Sequence, residues 1–228
     1  MKELQQNKNL GSILTNMLIA AVSLFVNGFG VYLTIHANIG AGPWDVFNLG
    51  LSNTLGVLYG TANLTVSFSV IFIDILLKEP IGIAMFIDAL TVGKTVDLFN
   101  WLNIIPEPKN TVDGVFMMIV GLFIIGYTQY TYMWVSLGCG PRDTLLVGLK
   151  RKVKKIPIGV VSIALLALVT FVGFLLGGKV GIGTLIFAFG AGPIMQLAFH
   201  TVHFDATAIK HQSVFESFRV IFHKQKAQ

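Results

Sequence analysis

Long stretches free of Asp, Glu, Lys and Arg dominate this sequence of 228 residues. A bilayer core of ~30 Å is crossed by a helix of about 20 largely apolar residues, and five charge-free runs reach that length. With 54% hydrophobic and only 12% charged residues, against about 25% charged in soluble domains, the chain cannot cover itself with a water-facing surface. The five runs are 9–35, 46–73, 114–141, 156–178 and 180–204, and a sixth apolar stretch with three charges covers 81–105.

This composition predicts an all-α polytopic membrane protein. It excludes a soluble globular enzyme, a nucleic-acid-binding protein and a disordered chain, and no enzyme motif or cofactor site is expected. The single cysteine, Cys139, excludes an intrachain disulfide and a multi-cysteine zinc site. The first apolar run is too long for the core of a cleaved signal peptide, so it is interpreted as a retained span. Six spans are predicted, near 11–36, 59–77, 81–102, 113–137, 157–177 and 181–203.

The sequence also contains an internal repeat. A G-x-G-P-x-D motif formed by Gly40, Gly42, Pro43 and Asp45 recurs 98 residues later. After a one-residue insertion the offset becomes 99, and more glycines match at that spacing. Such self-similarity predicts a tandem duplication of about 98 residues. The second motif consists of Gly138, Gly140, Pro141 and Asp143, and the later pairs are Gly60 with Gly159, Gly82 with Gly181, and Gly93 with Gly192.

Three spans per copy make the second copy cross the membrane in the opposite sense, which is the inverted-repeat arrangement of many transporters. The expected organisation is a cytoplasmic tail (1–10), two three-span repeats (11–105 and 112–204) and an amphipathic basic tail (205–228). The positive-inside rule agrees. With both termini cytoplasmic, all Lys and Arg residues except Lys94, Lys109 and Lys179 are assigned to the cytoplasmic side.

Each motif is expected to end in a turn and a short helix that does not cross the membrane, over 46–57 and 144–155. Glycines permit backbone turns closed to other residues, and proline suits the first turn of a helix. Asp45 and Asp143 are expected to cap the exposed N–H groups there. Two interpretations stay open: a purely structural turn, or a broken backbone that lines a substrate cavity.

Three segments resemble a known family. They are GCGPRDTLLVGL (138–149), IPIG (156–159) and GGKVGIGTLIFAFGAGPIMQ (177–196). Together they resemble the YczE/YyaS/YitT-type bacterial membrane proteins, most closely the YczE branch, although 162–169 is less polar than expected there. The resemblance implies a multi-pass protein of the bacterial plasma membrane and no settled chemistry.

Polar residues inside the predicted spans are the candidate site. Asp88, Lys94 and Asp97 lie on the third span, and the three-residue spacing of the last two would let them pair. Ionisable groups at this depth are costly and usually face a cavity or a partner. Asn27 and Gln129 lie near the middle of spans one and four. The hypothesis is a substrate or proton site between the repeats; the alternative is a structural ion pair with interhelical hydrogen bonds.

Two functions remain open from the sequence. The first is a small-solute transporter or permease, and the second is a non-transporting membrane scaffold or regulatory factor. The lipid bilayer is the expected partner, with anionic inner-leaflet lipids at the basic cytoplasmic face, and a homo-oligomer is compatible with the sequence. A small-molecule substrate is expected for the first function, but nucleic acid and metal are not. The basic face comprises Lys150, Arg151, Lys152, Lys154, Lys155 and the 205–228 tail.

Overall fold

The computed structural model describes residues 10–204, and side chains from residue 13 onward. Within that range the chain forms eight α-helices and no strand. The basic 205–228 tail and most of the 1–10 tail lie outside the described residues. The helices are α1 (Leu10–His36), α2 (Pro43–Leu55), α3 (Tyr59–Leu76), α4 (Ile83–Leu102), α5 (Thr111–Trp134), α6 (Pro141–Lys152), α7 (Ile158–Leu175) and α8 (Ile182–Thr201).

Five helices have the length and composition to cross a membrane: α1, α3, α5, α7 and α8. The all-helical, multi-span prediction is therefore confirmed. Helix α4 has 20 residues, which is also long enough, but it carries Asp88, Lys94 and Asp97. Its crossing of the membrane remains a prediction, because three charges exceed what an ordinary lipid-facing span carries.

Helices α1 and α5 pack closely against each other. Their backbones approach closely where two glycines meet, since a Cβ built on Gly121 would lie 2.7 Å from the Gly30 carbonyl oxygen. Beside this contact the Asn27 amide donates a hydrogen bond of 2.9 Å to Thr128 Oγ1. Small residues and interhelical hydrogen bonds are the usual means of helix association in lipid. The expected interhelical role of Asn27 is thus observed.

The short helices α2 and α6 follow the two glycine motifs. Pro43 and Pro141 are their first residues, and their missing N–H groups cost nothing at that position. Gly40 and Gly138 adopt φ values of +110° and +118°, a region that side chains other than glycine rarely enter. The two motifs therefore have the same backbone turn, 98 residues apart.

Each motif turn is hydrogen-bonded to the start of a helix in the other half of the chain. The Gly183 N–H donates to the Ile39 carbonyl at 2.8 Å, and the Ala84 N–H donates to the Leu137 carbonyl at 3.1 Å. These two hydrogen bonds are equivalent under the offsets of 98 and 99 residues. The turn in each half is thus fixed by the helical hairpin of the other half.

Helix packing follows the same correspondence, with one exception. The α1–α4 contact corresponds to α5–α8, α2–α7 to α3–α6, α2–α3 to α6–α7, and α2–α8 to α4–α6. Helices α3 and α4 pack along each other, whereas their counterparts α7 and α8 do not pack side by side. The repeat is regular in its connections and asymmetric in this hairpin.

Candidate functional site

A cavity of about 420 Å³ lies among the helices of both halves. Its walls are mostly apolar, with side chains from α1, α5, α7 and α8. One end is polar and receives charged and amide side chains from the motif helices α2 and α6 and from α3, α4 and α5. The polar lining residues are Asn27, Asp45, Asn63, Asp88, Gln129, Tyr132, Arg142, Asp143 and Ser162.

Arg142, the second residue of α6, is the cation of this polar end. Its Nη2 donates a hydrogen bond of 2.6 Å to Asn63 Oδ1 on α3. Its Nη1 lies 3.9 Å from Asp45 Oδ1 on α2, and its guanidinium carbon is 5.2 Å from the centre of the Trp44 ring. One side chain from the second half is therefore held by three residues of the first half.

Asp45 is the most enclosed carboxylate of the site, with 4% of its surface exposed. The Tyr59 hydroxyl donates to its Oδ1 at 2.8 Å, and Asn48 links Tyr59 to Asn63 through bonds of 3.4 and 3.0 Å. Arg142 and the Tyr59 hydroxyl stabilise the carboxylate of Asp45 in this buried position. Asp45 thus belongs to a buried network that includes Arg142.

Asp143 stands at the equivalent position of the second copy but has different partners. Its Oδ2 accepts hydrogen bonds from Gln129 at 3.1 Å and from the Tyr132 hydroxyl at 3.3 Å. The expected capping role of Asp45 and Asp143 is not observed, because the N-caps of both helices lack a side-chain hydrogen bond. Both carboxylates accept instead from side chains of other helices, Asp45 from α3 and Asp143 from α5.

Asp88 projects from α4 into the same cavity. In the described part of the chain no hydrogen bond to its carboxylate is found, although it interacts electrostatically with Arg142 and Asp143. The polar end therefore holds three carboxylates and one guanidinium. Of the three acids, Asp88 is the one whose oxygens remain free for a ligand.

The structure brings together only some of the predicted site residues. Asp88, Asn27 and Gln129 line the cavity, whereas Lys94 and Asp97 do not. Lys94 is exposed, and no salt bridge joins it to Asp97 among the described residues. Asp97 accepts a hydrogen bond of 2.9 Å from the Gly60 N–H at the start of α3. The predicted Lys94–Asp97 pair is replaced by this contact between α3 and α4.

The sequence reasoning missed Arg142, which it counted among the cytoplasmic cations. In the structure Arg142 lies at the start of α6, where it contacts residues of the cavity and has 26% of its side chain exposed, whereas the basic cluster follows at the end of that helix. The available signal was its place inside the motif, between Pro141 and Asp143. At the equivalent position of the first copy stands Trp44, on which Arg142 packs.

The family model of a family of unknown function, DUF6198, matches residues 14–200. The chain belongs to this family. The match covers all eight helices except the first residues of α1 and the last residue of α8, so it includes both motifs and the whole cavity.

Curated relatives agree with the resemblance to the YczE and YyaS proteins. An uncharacterized protein of Haemophilus influenzae is 28% identical over 79% of this chain and 81% of its own length. The uncharacterized membrane protein YczE of Bacillus subtilis is 26% identical over 77% and 81%, and the YyaS protein of the same organism is 27% identical over 72% and 83%. No solved structure matches the chain.

Proposed function

We propose that this protein transports a small solute across the bacterial plasma membrane, with the substrate bound in the cavity between two inverted three-span repeats. The observation that carries the proposal is the polar end of the cavity, where Arg142 of one half meets Asp45 of the other, with Asp88 beside them. Binding sites at the interface of inverted repeats, next to interrupted helices, are typical of secondary transporters.

The energetics support a site that binds a solute. A charged side chain at the bilayer centre costs about 2.5–3.5 kcal/mol on insertion scales, and the polar end holds four such groups. One guanidinium cannot neutralise three carboxylates. A scaffold protein would need only a dry, packed centre, whereas a charged cavity of about 420 Å³ has room for a solute and water.

The lining also indicates the kind of solute. Apolar residues and glycines form most of the wall, and the charged groups lie together at the polar end. Pockets of this design bind an apolar body and orient it by a few polar contacts. The excess of carboxylates favours a solute whose polar end is cationic or donates hydrogen bonds.

The proposed topology places both termini and the basic cluster on the cytoplasmic side, facing anionic lipid. Arg151, in that cluster, pairs with Glu79 of the α3–α4 loop at 3.2 Å, which puts the end of α6 and this loop at one surface. Without Arg142 in the count, the cytoplasmic side still carries more Lys and Arg residues than the outer side. The tail at 205–228 is assigned to the same surface from its sequence.

Cysteine labelling in intact cells tests the topology. In a Cys139→Ser background, Asn53→Cys at the end of α2 should react with a membrane-impermeant maleimide, and Lys152→Cys should react only after the cells are opened. Both positions are exposed in the structure, so protein shielding does not explain a difference. Labelling of Lys152→Cys from outside would contradict the proposed orientation.

Transport itself is tested with Asp88→Asn and a matched control. Comparison of metabolites in a deletion strain and its parent identifies the candidate solute, and purified protein in liposomes then measures its uptake. Asp88→Asn should lower uptake at least about tenfold, the effect of losing one charge-assisted contact. Lys94→Gln removes a charge of the same helix outside the cavity and should leave uptake unchanged.

Equal uptake by the two variants would contradict the cavity as the transport site. If no accumulated metabolite is taken up by the wild-type protein, the transporter proposal fails. Capture of a specific membrane complex by the basic face would then favour the scaffold function.

A further inference from the structure

The α3–α4 hairpin and the α7–α8 hairpin are equivalent in the sequence repeat, but their conformations differ. In the first half a Cβ built on Gly93 would lie 2.9 Å from the Gly60 Cα, so α3 and α4 touch at these glycines. In the second half the matching glycines, Gly159 and Gly192, have no atom within 4 Å of such a Cβ. The two helices of the hairpin are therefore in contact at these glycines in the first repeat and apart at them in the second. We call the first hairpin closed and the second open.

A hydrogen bond holds the closed hairpin. The Gly60 N–H at the start of α3 donates to Asp97 Oδ1 at 2.9 Å. The residue that matches Asp97 in the second half is Gln196, whose amide oxygen can accept the same hydrogen bond from the Gly159 N–H. Gln196 is exposed, and no hydrogen bond to it is found among the described residues. The open hairpin therefore carries the groups needed to close in the same way.

The cavity extends into the open hairpin. Its lining includes Ser162 and Leu166 of α7 and Gly192 and Met195 of α8. Gly192 is one of the two glycines with open space beside them. Next to it, Pro193 lies inside α8 and removes a backbone hydrogen bond there, a usual cause of helix bending. In the proposed topology the start of α7, with Gly159, lies on the cytoplasmic side, whereas the Gly60–Gly93 contact lies toward the outer side.

We propose that the protein has a second state in which the two hairpins exchange conformations. In it Gly159 packs on Gly192 and donates its N–H to Gln196, while Gly60 separates from Gly93 and Asp97. The structure described here is then the inward-open state, and the exchange exposes the polar end of the cavity to the outside. The purpose of the second state depends on the proposed transport function. Its geometry is derived only from the correspondence between the two repeats.

Disulfide trapping tests the second state without any substrate. In a Cys139→Ser background, Gly159→Cys with Gln196→Cys should form a disulfide under mild oxidation in membrane vesicles, because these positions correspond to Gly60 and Asp97. As a positive control, Gly126→Cys with Met195→Cys should form one from the present state, in which a Cβ built on Gly126 would lie 3.6 Å from the Met195 Cα.

Two further substitutions should change the trapping rate in opposite directions. Asp97→Ala removes the hydrogen bond of the closed hairpin and should raise the rate about tenfold, the effect expected of one hydrogen bond to a charged group. Gly192→Val fits the open space of the present state, so folding should be preserved, but it prevents the approach of α7 and should suppress trapping about tenfold. Lys94→Ala, on the exposed face of α4, should leave the rate unchanged.

The outcomes separate this inference from the transport proposal. If the control pair links and the Gly159–Gln196 pair does not, or if Asp97→Ala and Gly192→Val leave its rate unchanged, the second state is wrong. Trapping as described with no solute flux would contradict the transport proposal alone. Undiminished flux in the fully linked protein would contradict the exchange of hairpins alone.

Discussion

Replacing Arg142 with Gln should lower the free energy of unfolding by about 3 kcal/mol, within the range for breaking a buried ion pair. The substitution leaves Asp45, which is 4% exposed, without its counter-charge, and leaves Asn63 without its 2.6 Å hydrogen bond. Unfolding in detergent followed by circular dichroism measures the loss. Arg142→Lys should recover only part of it, because an ammonium cannot reproduce the flat contact with Trp44 or the forked geometry.

A double variant shows that the loss arises from the unpaired carboxylate. Arg142→Gln combined with Asp45→Asn removes both charges and should be more stable than Arg142→Gln alone. Lys152→Gln, at the exposed end of the same helix, should change stability by less than about 0.5 kcal/mol. If the double variant loses the sum of both single effects, Arg142 and Asp45 do not interact energetically and the network assigned here is wrong.

The helices could be predicted well from the sequence because lipid imposes a simple rule on span length and polarity. Both motif helices could be found as well, since glycine and proline have positional meaning at a turn. The contacts of Arg142 in the cavity could not be predicted from its charge, for a physical reason. A cation count treats every Lys and Arg as solvated, whereas a guanidinium inside a motif can be held by an aromatic ring and an amide of the other half.

The contacts of Lys94 and Asp97 also could not be predicted from their spacing along the helix. A three-residue separation brings two side chains to one face of a helix, but it does not show which groups of a neighbouring helix compete for them. The Gly60 N–H at the start of α3 has no partner within its own helix, so Asp97 binds there. The asymmetry of the two hairpins was equally hidden, because the sequence repeat describes both halves alike.

Asp45→Ala should destabilise the protein by about 2–4 kcal/mol, and Asp143→Ala by less than about 1 kcal/mol, although the two residues are equivalent in the repeat. Removal of the Asp45 carboxylate leaves the buried Tyr59 hydroxyl without its acceptor and Arg142 without its counter-charge. Asp143 is exposed, and its partners Gln129 and Tyr132 keep their mutual hydrogen bond of 3.1 Å.

Helix capping would give a different result, since two equivalent N-terminal caps should each contribute about 0.5–2 kcal/mol. Similar losses for the two alanine variants would therefore favour capping and contradict the network. Asp45→Asn separates the contributions further, because its amide oxygen can still accept from Tyr59 while the charge that faces Arg142 is gone. Its stability should lie between those of Asp45→Ala and the wild type, and a value equal to the wild type would show that the ion pair contributes nothing.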